Sequence, residues 1–272
     1  FPRVGTRPVD QVDSAAVVEV LSPIWLTIPD TARRILQRIG AVLDFAHIKG
    51  WLADEVSLRS VRKGLPRQVD KGGHLEAMPY ADVPAFMQKL AAASPTTGRD
   101  ALRFTIYNAV RSNETRFAVW TEFDLEKAVW TIPGERMKAG ETHVVPLSAP
   151  AVALLRKRWN ERTSDTGLVF SNDGEKPISD MTMTKLLRDD GIKGVTVHGF
   201  RSAFTDWSSE RTRFPKEVAD KALAHKLPNK VEAAYRRTDF FEKRRNLMAR
   251  WAEYLDRAVM QQSKDNCLKL AA

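Results

Sequence analysis

Val197-His198-Gly199-Phe200-Arg201-Ser202, Leu223-Ala224-His225-Lys226 and Val231-Glu232-Ala233-Ala234-Tyr235-Arg236-Arg237 follow one another in the stretch from Val197 to Arg257. Two histidines, an arginine and a tyrosine are the residue types that phosphodiester chemistry uses. His198 and Arg201 are three apart, and the polar and glycine residues around them mark a helix start, so both side chains are expected on one face that can hold an anion. From His198 to Arg257 there are 14 Lys or Arg against 9 Asp or Glu, so positive charge gathers around these residues. Residues 1 to 62 are nearly balanced, with 8 basic and 7 acidic side chains. DNA contact there would rest on where its arginines stand.

Net charge of +9 and a pI near 9.7 point to a polyanionic partner. The 272 residues are enough for two cores, and 43% hydrophobic with 28% charged residues describes a globular chain, not a disordered one. No apolar run approaches membrane-spanning length. Cys267 is the one cysteine, which excludes an internal disulfide framework and a cysteine-rich zinc site and points to a reducing cytoplasm. The histidines are His47, His74, His143, His198 and His225, with no pair at i and i+4, so no metal site is expected.

Upstream, a short helix is expected from Ser14. A longer one, capped by Asp30, carries Ile35, Ile39, Val42, Leu43 and Ala46 at helical spacing. Arg33, Arg34 and Arg38 fall mostly on its other faces, as a solvated surface or as a phosphate-contacting one. Residues 63 to 73, basic and with two glycines in succession, read as a flexible linker. Helices are expected over Tyr80–Ala92 and Arg99–Val110, the second leading into Arg111. Three β-type runs, Val119–Phe123, Ala128–Pro133 and Thr142–Leu147, predict a small antiparallel sheet with Lys138 on its second hairpin and His143 in a strand. Helices follow from a Ser148 cap, over Ser179–Asp189, from Pro215 to near His225, and from Asn229 through Tyr235. A last one starts at an Asp239/Glu242 capping box, with Leu247, Met248, Trp251, Tyr254 and Leu255 as its core stripe. The class is mainly α with a small antiparallel sheet, an α+β fold.

His198-x-x-Arg201, Leu223-x-His225 and Ala233-Ala234-Tyr235 together resemble the C-terminal active-site boxes of the tyrosine recombinases, the phage integrase family. The wording from Asn229 to Tyr235, Arg244-Arg245-Asn246-Leu247-Met248 and Trp251-Ala252-Glu253-Tyr254-Leu255 is similar to the P4-type integrases of prophages and genomic islands. Arg111-Ser112-Asn113-Glu114 resembles the family's first arginine box, T-G-x-R-x-G-E. Asn108 and Ala109 stand for Thr-Gly, and Asn113 for the glycine. Asn tolerates left-handed backbone, so the turn is expected to survive at Asn113. An isolated Arg-x-x-Glu would read as a cation at a helix C-terminus, and an isolated hairpin lysine as solvated. The company of the other boxes makes Arg111 a site candidate, and the flanking Ile132-Pro133-x-x-Arg136-Met137-Lys138 and Val145-Pro146-Leu147-Ser148 wording, which resembles that around the family's β-hairpin lysine, makes Lys138 one.

The resemblance implies a helical core-type DNA-binding domain over residues 1–62, a linker over 63–73, a recombinase catalytic domain over 74–257 and a tail over 258–272. It also implies that the chain is a fragment without the N-terminal arm-binding domain of the P4-type proteins. Arg111 and Arg201 would neutralise the charge that builds on the non-bridging phosphate oxygens, because a guanidinium is a bidentate, permanently charged donor. Tyr235 would be the nucleophile, storing the phosphodiester energy covalently without a cofactor or metal. Tyr80, Tyr107 and Tyr254 read as structural, and only Tyr235 has basic neighbours, Arg236 and Arg237, which are also candidate DNA contacts. Lys138 would protonate the leaving 5′ oxygen, Glu114 would orient Arg111, His198 would assist proton transfer and His225 would donate to a phosphate oxygen. The implied partners are double-stranded attachment-site DNA, three further copies of the chain on that DNA with a monomer when free, and accessory DNA-bending or directionality factors. The implied place is the cytoplasm, at the nucleoid, with no membrane. A type IB topoisomerase would use similar residues. A DNA-binding or architectural protein that kept the fold and lost the chemistry is the alternative from another class, for which Ala109 and Asn113 speak.

Overall fold

The computed structural model describes residues 4–68, 77–162, 164–225 and 239–270, with side chains described as far as residue 257. The chain divides into two compact units, Phe1–Gly73 and His74–Ala272. No described helix is long and apolar enough to cross a membrane. Tyr235, Arg236, Arg237, Lys226 and His74 lie outside the described residues, and with them the helix expected from Asn229.

The first unit is built on α1 (Ser14–Trp25), α2 (Pro29–Ile48) and α3 (Leu58–Gly64). The Asp13 carboxylate caps α1 by accepting the Ala16 N–H at 2.8 Å. Asp30 does not cap α2. Pro29 opens that helix, which leaves Asp30 inside the first turn, paired with Arg33. The buried face of α2 is Ala32, Leu36, Gly40, Leu43 and Ala46, so Val42 falls off the expected stripe and is 61% exposed. Gly40 is where α3 approaches, since a Cβ there would lie 2.3 Å from Leu58 Cδ1. The first residues of the expected linker are ordered structure. Lys63 and Gly64 complete α3, Leu65 is buried, the Trp25 indole donates to the Pro66 carbonyl at 2.7 Å, and the Gln68 amide donates to the Trp25 carbonyl at 2.7 Å.

The second unit is organised on α5 (Thr97–Asn108), a helix with nine of its twelve residues buried. It packs against α4 (Val83–Ala92), α6 (Ser112–Arg116), α7 (Ala149–Asn160), α8 (Thr182–Asp189) and the last helix, Phe241–Leu270. The sheet has the order β1 (Phe123–Asp124), β2 (Val129–Ile132), β3 (His143–Pro146), all antiparallel, with Trp130 opposite Val145 and Ile132 opposite His143. Trp130 and Ile132 face the core while Thr131 between them is exposed, the alternation of a sheet with one wet face. Phe104 of α5 meets Phe123, Trp130 and Phe170 there.

The strand expected over Val119–Phe123 is different. Val119 makes an isolated bridge to Leu168, Trp120–Glu122 forms a 3-10 turn, and pairing begins only at Phe123. Helix starts also shift. Pro79 accepts the Asp82 N–H in a turn that holds Tyr80 outside α4, and the Thr96 hydroxyl starts α5 two residues early by accepting the Arg99 N–H. Ser148 stands at the start of α7 without a capping bond from its hydroxyl. Asp239 accepts the Phe241 N–H, but Glu242 pairs with Arg245 and does not reach back, so the expected capping box is half formed. The described residues of this unit also form α9 (Gly199–Arg211) and α10 (Lys216–Ala222).

Candidate active site

Arg201 is buried, 4% exposed, in the first turn of α9. A buried guanidinium needs acceptors, and it finds them at two helix ends. Nη1 donates to the Ala109 carbonyl, just past α5, at 2.6 Å, and Nη2 donates to the Leu223 carbonyl, just past α10, at 2.7 Å. Both helices end in left-handed alanines, Ala109 and Ala224, each with φ of 49°. The last carbonyls of a helix lack intrahelical partners and carry the negative end of its dipole, so Arg201 satisfies two such ends with one cation. Burial, and then the charge of Arg111, lower its pKa to about 10.

This joint brings the boxes together, because Arg111 follows α5 directly and His225 follows α10. The left-handed residue of the first box is Ala109, not Asn113. Asn113 lies in α6, where its side chain accepts a bond from Arg116 at 2.9 Å. Glu114, 3% exposed, takes the Arg111 backbone N–H on one carboxylate oxygen at 2.7 Å and the Arg111 Nη1 on the other at 2.6 Å. Arg111 is thereby aimed, and among the described residues Glu114 is the one partner of its side chain.

An open cavity of about 580 Å³ is lined by Arg111, Lys138, Ala139, Lys216, Asp220, Ala224 and His225. Lys138 is exposed on the turn between β2 and β3. His225 places Nδ1 3.3 Å from the Asp220 carboxylate and Nε2 3.4 Å from Arg201 Nη2. In the tautomer with the proton on Nδ1, Nε2 accepts from Arg201. Donation to a phosphate oxygen therefore requires a protonated ring or a shift of Arg201. His198 caps α9 at the surface while Arg201 points inward, so the two differ in burial despite their spacing. Partial desolvation, and then the charges of Arg201, Arg111 and His225, lower the His198 pKa. At neutral pH the ring is a proton acceptor.

The described tyrosines are each engaged. Tyr107 donates to Asp256 at 2.8 Å and Tyr80 to Glu210 at 2.7 Å, while Tyr254 stacks on Trp251. Burial is the main cause that pushes the Tyr107 and Tyr254 pKa values up, and the Glu210 bond is the main one for Tyr80, so none is prepared to ionise. Arg33, Arg34 and Arg38 are exposed on α2, with Arg33 also bonded to Gln68 at 3.2 Å. They belong to the first unit and stand apart from this cluster in the chain.

Several residues near the site carry no signal at the sequence level. Lys216 and Asp220 line the cavity because α10 turns them to it. His143 reads as an ordinary strand residue, yet burial, and then the charge of Arg244, lower its pKa to about 4, and Glu114 and Arg201 are among its electrostatic neighbours. Arg244, 2% exposed, donates to Asp239 and, at 2.5 Å, to the Val144 carbonyl of β3. Arg136 ties the lysine turn down through Glu122 and Glu114. The Arg-Met-Lys138 and Arg244-Arg245 wording holds these residues, but only the fold shows what they touch.

Comparison with known proteins gives the same reading of the fold. The phage integrase family is matched over residues 76–242, and the phage integrase central domain over residues 1–61. Prophage integrase IntZ of Escherichia coli (strain K12) is 31% identical over 260 residues, covering 94% of this chain and 63% of that protein. The integrase of Enterobacteria phage P4 is 30% identical over 276 residues, covering 94% of this chain and 62% of its own length. This chain therefore spans somewhat under two thirds of those relatives. A lambda integrase(75-356) dimer bound to a COC′ core site has the same fold, with a TM-score of 0.59 at 15% identity, covering 81% of each chain. With the family matched across most of the chain, over the residues that build this cluster, the protein belongs to the phage integrase family.

Proposed function

We propose that this chain is the DNA-cleaving and rejoining part of a site-specific recombinase, acting on double-stranded attachment-site DNA in the cytoplasm. The observation that carries the reading is the gathering of Arg111, Lys138 and His225 around one open, cationic cavity, with Arg201 and His198 against it. A scissile phosphate in that cavity would be held by Arg111, whose Glu114 partner fixes its aim, with Arg201 behind it. The Tyr235 phenol oxygen attacks phosphorus, the P–O5′ bond breaks, and a 3′-phosphotyrosine forms. The phenol proton passes to a base such as neutral His198, and the 5′ oxygen takes a proton from the Lys138 ammonium. A 5′ hydroxyl from the partner duplex reverses the step. No ATP is needed, because one phosphoester replaces another.

Residues 1–62 would grip the duplex from its second side through Arg33, Arg34 and Arg38, with Arg236 and Arg237 adding contacts beside the nucleophile. Four copies would act together on two duplexes, and accessory DNA-bending or directionality factors would set the outcome. The test is a suicide duplex nicked next to the cleavage point, from which the leaving fragment diffuses away. Wild-type protein should accumulate a covalent adduct, and Tyr235→Phe should shift the same DNA without one. Binding with no adduct in the wild type would make the chain a DNA-binding module, and an adduct that survives in Tyr235→Phe would move the nucleophile elsewhere.

A further inference from the structure

The Lys138 side chain makes no bond to any described residue, so the turn that carries it decides where its ammonium goes. That turn is packed tightly. Gly134–Arg136 forms a 3-10 turn, Met137 is buried, and the Gly140 N–H closes on the Met137 carbonyl at 3.0 Å. A Cβ on Gly134 would lie 2.7 Å from the Gly140 carbonyl oxygen, so only glycine allows the two ends to meet.

Arg136 fastens this turn to two other parts of the site. Its Nη1 pairs with Glu122, whose carboxylate is 6% exposed, and the other Glu122 oxygen accepts the indole N–H of fully buried Trp130 in β2 at 2.9 Å. Its Nη2 donates to the backbone carbonyl of Glu114 at 2.5 Å, the residue that aims Arg111. A planar guanidinium can bridge a carboxylate and a carbonyl at once, which an ammonium on a flexible stem cannot do with the same geometry.

We propose that Arg136 is a positioning residue for proton delivery to the leaving group, acting through Lys138. This rests on the recombinase reading. In the step concerned, the tyrosine oxygen bonds to phosphorus, the P–O5′ bond breaks, and the departing oxygen takes a proton from the Lys138 ammonium, leaving a neutral amine. Arg136 touches none of the reacting atoms. It holds the backbone two residues from Lys138 in register with the arginine that binds the phosphate, and small displacements of a catalytic group are costly.

The experiment uses the full chain and two suicide duplexes, one with a normal scissile phosphodiester and one with the bridging 5′ oxygen replaced by sulfur. A thiolate leaves without a proton, so the sulfur substrate bypasses any defect in proton delivery. Lys138→Ala should slow adduct formation on the normal duplex by about a hundredfold or more, and Arg136→Ala by at least about tenfold. On the sulfur duplex both should return to near the wild-type rate, while Arg111→Ala should not. Glu122→Gln keeps an acceptor for Trp130 and loses the ion pair. It should show a smaller loss with the same rescue, and this covers the case in which Arg136→Ala fails to fold. A loss in Arg136→Ala and Glu122→Gln that persists on sulfur, or no loss on the normal duplex, overturns the proposal. If the wild type itself forms no adduct on either duplex, the recombinase reading falls, and this inference with it.

Discussion

Ala109 sits in a left-handed backbone conformation, φ 49°, with its methyl group 1% exposed, at the position where the family's first box has glycine. Three terms decide what Ala109→Gly would do. Relief of the left-handed conformation is worth about 1–2 kcal/mol. The freer unfolded chain costs about 0.4–1 kcal/mol and the lost buried methyl about 0.8 kcal/mol. They nearly cancel, so chemical denaturation should place Ala109→Gly within about 1 kcal/mol of the wild type. Ala109→Val, β-branched in the same conformation, should lose about 2 kcal/mol or more. The departure from the family pattern is thus tolerated by burial and need not signal lost chemistry. His143 supports a second expectation. Its pKa is lowered to about 4, first by burial and then by Arg244. A base depressed in the folded state is protonated preferentially in the unfolded one, so stability should fall as pH drops from about 6.5 towards 4, by on the order of 3 kcal/mol in all. His143→Gln should flatten that slope in pH-dependent melts, and an unchanged slope would show that the ring is already charged or accessible. The boxes around Arg111, His198, Arg201 and His225 are legible in the sequence because each has its own residue pattern. His143 is not, since a histidine in a strand looks the same whether it faces water or the back of a site.

At the scale of elements, Arg244 pins the start of the last helix to β3. Arg244 donates to the Asp239 carbonyl at 2.8 Å, to the Asp239 carboxylate at 2.7 Å and to the Val144 carbonyl of β3. Desolvation lowers its pKa and the Asp239 charge opposes that shift. Replacing it leaves three acceptors at the β3 edge and helix start without their donor. Arg244→Met should cost about 2–4 kcal/mol, and Arg244→Lys should recover little of it, because one ammonium does not reproduce the fork. Equal stability of Arg244→Met and wild type would mean that packing of Leu247 and Trp251, not this clamp, holds the helix. Periodicity made the helices legible, since α5 and the last helix bury continuous stripes. It failed over Val119–Phe123, where the β-type run Val-Trp-Thr-Glu-Phe forms a bridge and a 3-10 turn. There Trp120 packs edge-on against Trp159 and Glu122 turns in to meet Arg136. The local pattern records burial, and a strand and a packed turn bury the same residues. The linker misled for a related reason. Its glycines and charges mark residues 63–73, but Leu65 is buried, and Pro66 and Gln68 are bonded to Trp25 of α1 by contacts that no local pattern encodes.

For the whole molecule, the charge of +9 is not spread evenly, and this sets how binding should respond to salt. Residues 1–62 are nearly neutral, with 8 basic and 7 acidic side chains, Arg33, Arg34 and Arg38 standing exposed along α2 and Arg33 already engaged with Asp30 and Gln68. The second unit holds Arg111, Lys138 and Lys216 around its cavity. If these cations meet phosphates, each contact releases condensed counterions. Six contacts then imply a slope of log affinity against log salt of about −5, a loss of about a thousandfold between 50 and 200 mM. Fluorescence anisotropy on attachment-site duplex should find a slope at least this steep. Arg34→Ala with Arg38→Ala should lower its magnitude by roughly two units and leave the adduct rate at saturating DNA unchanged, since neither residue belongs to the cavity. Lys138→Ala should lower the slope by about one unit and also slow the adduct. A slope that Arg34→Ala with Arg38→Ala leaves unaltered would make the arginine face of α2 a solvated surface, and DNA would then be held by the second unit alone.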